Sequence, residues 1–139
     1  MLFNINKSIE KKRESILVTE PMKKHVHTIL IIDDELEVCI LVGNFLNKKN
    51  KQTAHSTTLK EGIEKFRELK PDLLILDHNL PDGYGINSIP LFKELDQSIK
   101  VVIISAMSDL KKQAIEKGAD YFIEKPISFS ALNLILLNH

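Results

Sequence analysis

Two hydrophobic rhythms alternate from residue 28 to the end of the chain. Short runs that are apolar at nearly every position are separated by longer stretches with apolar residues every third or fourth position. TILII (28–32), DLLILD (72–77) and KVVIIS (100–105) are of the first kind and rich in β-branched residues. A strand with one face in water alternates apolar and polar positions, whereas a strand covered on both faces is continuously apolar. These runs therefore predict buried strands of a parallel sheet. DYFIE (120–124) reads as another strand, and the more polar KQTAH (51–55) as an edge strand. The second kind of stretch predicts helices over 35–49, 58–69, 86–95, 109–117 and 128–137. Leu59, Ile63, Phe66 and Leu69 make a stripe on one of them, with Pro71 beyond its end. Gly118 is a natural stop for the short fourth helix. Pro90 is tolerable in the third if Ser88 caps it and the proline stays in the first turn.

Five strands alternating with helices and joined by short connections predict an α/β fold, a doubly wound five-stranded parallel sheet with helices on both faces. Ligands of such sheets sit beyond the carboxyl ends of the strands, where the strand order reverses. Asp33 and Asp34 follow the first strand, Asp77 ends the third, Ser105 ends the fourth, and Lys125-Pro126 follow the fifth. Each has an ordinary use alone: acids cap helices or start turns, and a serine satisfies nearby backbone. The coincidence carries the weight, since four of five strands deliver such a group at the same end. Three adjacent carboxylates cannot all ionise without a cation. Magnesium suits them, because it takes few carboxylates and fills its shell with water and phosphate oxygens. A carboxylate held there can attack a phosphoryl donor, and a lysine and a hydroxyl can hold the new phosphoryl oxygens.

Bulk properties narrow the setting. The 139 residues suit one domain, and 43% hydrophobic content is enough for a core. A formal net charge of +0 argues against unspecific attraction to nucleic acid or acidic membranes. The charge is uneven: residues 1–28 hold six Lys/Arg and three Glu, and the remainder thirteen Lys/Arg and sixteen Asp/Glu. Residues 1–27 are expected to be a partly ordered tail, with the domain proper over 28–139. Cys39 is the only cysteine, which excludes an intrachain disulfide and a cysteine-based zinc site. No apolar stretch is long enough to span a bilayer, and the N-terminus lacks the apolar core of a signal peptide, so a cytoplasmic protein is expected.

The motifs IIDDE, LLILDHNLPDGYG, VVIISA and EKGADYFIEKPIS, in that order, resemble the receiver domain of two-component response regulators over roughly residues 28–138. The resemblance implies a flavodoxin-like (βα)5 fold with strand order 2-1-3-4-5, an arrangement for which a receiver is itself a standard example. It implies that Asp77 is the phosphoacceptor, that Asp33 and Asp34 help bind Mg2+ or Mn2+, and that the backbone carbonyl of Asn79 completes the metal site. Ser105 and Lys125 match the hydroxyl and lysine that meet the phosphoryl group, Phe122 the switch aromatic, and the bond to Pro126 is expected to be cis. The donor would be a phosphohistidine on a histidine kinase or phosphotransfer protein. The output would be a changed face made by the fourth helix, fifth strand and last helix, read by a downstream protein. The resemblance further implies that Asn79 and Met107 flank the path of the hydrolytic water. Pro90, His78 and the short fourth helix depart from the pattern without removing a catalytic group.

Alternatives remain at this stage. A receiver-like module could bind proteins without phosphate. An aspartyl phosphatase would resemble Asp-x-Asp, but its second acid is replaced by Asn79. The chain is expected to be no enzyme beyond acting on its own phosphoryl group, and to be a stand-alone receiver or one lacking its output domain. The last helix, SFSALNLILLNH, is apolar nearly all round, which suggests a crowded core, a homodimer face, or docking of Leu2, Phe3, Ile5 and Ile9 from the tail. His25 and His27 lack an evident third metal ligand, and Cys39 reads as core.

Overall fold

Residues 25–139 are described by the computed structural model; most of the expected tail lies outside them. β1 (Thr28–Ile32) leads through α1 (Leu36–Asn47), β2 (Gln52–Ser56) and α2 (Leu59–Leu69) to β3 (Leu73–Asp77). A small hairpin follows, β4 (Asn79–Leu80) and β5 (Gly83–Tyr84), and runs into α3 (Gly85–Leu95). The chain then forms β6 (Lys100–Ser105), a 3-10 turn (Ser108–Leu110), α4 (Lys111–Glu116), β7 (Tyr121–Glu124) and α5 (Phe129–Leu137).

Five parallel strands form one sheet in the order β2-β1-β3-β6-β7. With the hairpin strands set aside, this is the expected 2-1-3-4-5. Polar β2 is an edge, as its composition predicts. The register pairs Ile32 with Leu76, Asp77 with Ile104, and Ser105 with Glu124. Asp33, Asp77, Ser105 and Lys125 therefore emerge at one rim.

The sheet divides two apolar layers. Leu30, Ile32, Leu74, Leu76, Val101 and Ile103 face α2, α3 and α4, meeting Phe66, Ile86, Ile89, Phe92 and Ala114. Ile29, Ile31, Leu73, Ile75, Val102 and Ile104 face α1 and α5, meeting Cys39, Val42, Leu46, Leu132 and Ile135. Each such Leu or Ile contributes ~1.5–3 kcal/mol by leaving water. An exposed ion pair such as Lys65–Glu61 (3.1 Å) contributes about 0–1 kcal/mol, so burial sets the architecture.

Three features depart from the sequence expectations. Val26 is buried in the α1–α5 layer, so the packed body reaches back to at least that residue. The fourth helical segment is split into the 3-10 turn and six residues of α-helix. Ser88 does not cap α3. That helix starts at Gly85 behind Tyr84, and Ser88 Oγ donates to the Gly85 carbonyl within the first turn (2.7 Å). The cause is the hairpin, whose Gly85 N–H donates to the His78 carbonyl (2.7 Å) and starts the helix early. Pro90 thus lies beyond the first turn, exposed to solvent, and the Ile86 carbonyl receives no hydrogen bond from it.

Candidate functional site

Each acidic residue reaches the rim for a local reason. β1 ends because Asp33 Oδ1 accepts from the Glu35 N–H (2.8 Å), turning the chain toward α1. The Asp33 N–H still donates to the Ser56 carbonyl of the neighbouring strand (3.1 Å). Asp77 is the last residue of β3 and is 2% exposed. Gly85 permits the return of the chain behind it: a Cβ there would stand 2.1 Å from the Asp77 carbonyl oxygen.

Carboxylate oxygens of Asp33, Asp34 and Asp77 lie within 4.8 Å of one another. Asp33 and Asp77 are buried, and Asp34 is exposed. Lys125 Nζ donates to Asp77 Oδ2 (3.1 Å) and stands 3.5 Å from Asp33 Oδ2. One ammonium thus stands between two buried carboxyls. Burial and the neighbouring Asp33 push the Asp77 carboxyl up to about 7, against the pull of Lys125. Burial also raises Asp33, partly offset by the Glu35 N–H and Lys125. For Lys125, burial acts downward but is outweighed by its hydrogen bond to Asp77 and the charges of Asp77 and Asp33, which hold it above its ordinary value. Asp33 Oδ2 is buried with no hydrogen-bond donor. A buried carboxylate oxygen with no hydrogen bond and only a 3.5 Å ion pair to Lys125, beside two further carboxylates, fits a hard, oxygen-seeking divalent cation.

The remaining expected residues surround this cluster. Ser105, 1% exposed, ends β6, and its Oγ accepts from the Met107 N–H (3.0 Å). Asn79 opens the hairpin, its N–H directed to Asp77 Oδ1 at 3.4 Å. The Lys125–Pro126 peptide bond is cis. Phe122 lies on β7, partly buried against the α2–α4 layer, while Tyr121 beside it packs on the opposite layer. Met107 is 46% exposed at the mouth of the β6–α4 loop. His25 and His27 are exposed, their rings 6.2 Å apart, and outside the acidic cluster. Cys39 is buried, its thiol donates to the Asp33 carbonyl (3.4 Å), and burial with nearby Asp33 pushes it up to about 11.

Two supports escape sequence reasoning. Asp82 accepts from the Leu59 and Lys60 N–H groups (both 2.8 Å), tying the loop after β3 to the start of α2 across more than twenty residues of chain. These two N–H groups hold its carboxyl below the usual range. The His78 ring stacks on Tyr84 (5.0 Å), bracing the hairpin that carries Asn79, and burial lowers the imidazole. The DG pair signalled a turn; nothing local signalled its distant partner.

A flavodoxin-like doubly wound domain with an acidic pocket at its switch point is the class these features define. The sequence profile of the response regulator receiver domain matches residues 29–136, and the chain belongs to that family. It is 33% identical to the chemotaxis protein CheY of Thermotoga maritima, covering 70% of this chain and 84% of that one. It is 29% identical to sporulation initiation phosphotransferase F of Bacillus subtilis, covering 75% and 86%. The beryllofluoride-activated NtrC4 receiver domain dimer superposes with a TM-score of 0.74 at 31% identity, covering 79% and 93%. A two-component response regulator from Clostridium difficile superposes with a TM-score of 0.75 at 24% identity, covering 79% and 92%, a likeness of fold.

Proposed function

We propose that Asp77 accepts a phosphoryl group from a phosphohistidine on a histidine kinase or phosphotransfer protein, and that this switches a protein-binding face. The observation that carries the reading is the convergence of Asp33, Asp34 and Asp77 within 4.8 Å, with Lys125 Nζ 3.1 Å from Asp77. Asp33, Asp34, Asp77 and the Asn79 carbonyl would hold Mg2+ or Mn2+, which when bound neutralises carboxylate and phosphoryl oxygens. An ionised Asp77 oxygen attacks phosphorus, the P–N bond of the donor breaks, and the imidazole nitrogen keeps the electron pair and takes up a proton. Lys125 and the Ser105 hydroxyl then hold the oxygens of the acyl phosphate. Attack by water at phosphorus later releases inorganic phosphate and restores the carboxylate, with Asn79 and Met107 beside its path.

To meet the phosphoryl group, Ser105 Oγ gives up the Met107 N–H, and Phe122 turns into the space left. The face of α4, β7 and α5 then changes between two states that the modification biases. Leu134 and Leu137, 62% and 72% exposed on α5, support a contact there with a target or a second copy. The chain acts on its own phosphoryl group and turns over no other substrate. Among the described residues, no helix is long and apolar enough to cross a membrane. We place the protein in the cytoplasm, in contact with proteins rather than nucleic acid, with residues 28–139 as the receiver and 1–27 as an appendage whose Val26 packs into the receiver's core.

Acetyl phosphate with Mg2+ tests the reading by intact-protein mass spectrometry. The expected result is one added phosphoryl group, absent in Asp77→Ala. No gain by the unaltered chain would instead favour a module that binds proteins independently of phosphate.

A further inference from the structure

An apolar groove of about 510 Å3 runs between α1 and the segment from Lys125 to Phe129. Val38, Leu41, Val42, Ile127 and Phe129 line it, with Glu35 and Glu37 on its rim. Leu41 is 59% exposed, and Leu36 and Ile40 on the same helix are 49% and 50% exposed. A helix that buries one apolar face and shows another to solvent has a second surface to cover.

The chain itself holds a matching segment. Val26 is buried in the layer that α1 and α5 share, and Lys51 Nζ holds its carbonyl (2.6 Å). Val26 therefore fixes the start of the described chain on the sheet face that bears the groove. Twenty-four residues precede His25; even at helical rise they span ~36 Å, whereas α1 is ~18 Å long. Leu2, Ile5, Ile9 and Ile16 recur at spacings that place them on one helical face. The segment carries six Lys/Arg against three Glu, opposite in sign to the Glu35–Glu37 rim.

We propose that residues 1–24 dock intramolecularly in the groove between α1 and the β7–α5 loop, presenting Leu2, Ile5 and Ile9 to Leu41 and Phe129.

Cysteine cross-linking in the full chain tests it. With Cys39→Ala as background, Ile9→Cys is paired with Leu41→Cys in the groove, or with Leu134→Cys on the outer surface of α5. At low protein concentration, oxidation should link 9 to 41 within one chain about tenfold faster than 9 to 134, the mark of a raised effective concentration. Circular dichroism and urea midpoints of the reduced variants check that each folds. Equal rates for the two pairs would overturn the proposal, as would linkage only between chains, which would assign the groove to a second copy. Acetyl phosphate labelling of the same reduced protein separately reports whether Asp77 accepts phosphate.

Discussion

Single positions decide whether the pocket forms and how it titrates. Gly85 admits no side chain because the obstacle is the Asp77 carbonyl, a backbone atom that cannot step aside. Gly85→Ala should destabilise the domain by ~3 kcal/mol or more, within the range for overpacked backbone sites, and lower the urea midpoint. Asp77 behaves in the opposite sense. Its carboxyl is held well above the ordinary value, to about 7, so the folded chain keeps a proton that the unfolded chain has released. Stability from this group is complete below the ordinary carboxylate range and is lost as pH rises to about 7. Without divalent cations, Asp77→Asn should flatten that decline and be more stable than the unaltered chain at pH 8 by roughly 1–2 kcal/mol, measured by urea unfolding across pH. Candidate residues were legible here because Asp, Ser and Lys interrupt apolar runs. Their supports, Gly85, Asp82 and the His78–Tyr84 stack, work through contacts that no local pattern announces.

Elements show where local preference yields to context. The β-branched strands were readable because both faces are covered, and the stripe of α2 because one face is not. Ser88 looks like the cap of α3, while a hydrogen-bonded hairpin sets the cap at Tyr84, four residues earlier. Pro90 is consequently stranded inside the helix. Pro90→Ala restores a donor for the Ile86 carbonyl, while releasing some entropy to the unfolded chain. The net gain should be ~1–2 kcal/mol, read as a higher urea midpoint at unchanged slope. α2 depends on a residue far away in the chain, since Thr58 caps it through Glu61 while Asp82 takes two further N–H groups. Asp82→Ala should cost ~1 kcal/mol and speed hydrogen exchange at Leu59 and Lys60.

At the scale of the molecule, a cation held by Asp33, Asp34 and Asp77 would link metal binding to folding. A cation that binds only the folded chain adds ~2.7 kcal/mol of stability at a hundred times its dissociation constant. Mg2+ should therefore raise the melting temperature, chelation should reverse the rise, and Asp33→Asn should abolish most of it. The topology that brings these groups together was readable from alternation alone, whereas Val26 was not, because an isolated valine in a basic stretch has no periodic neighbours. Cys39 gives this linkage a clock. It is the chain's sole thiol, sealed beneath α1 and bonded to the backbone of Asp33. An alkylating reagent can reach it only when α1 lifts from the sheet, so the labelling rate counts openings beside Asp77, and any ligand that steadies the pocket should slow the count.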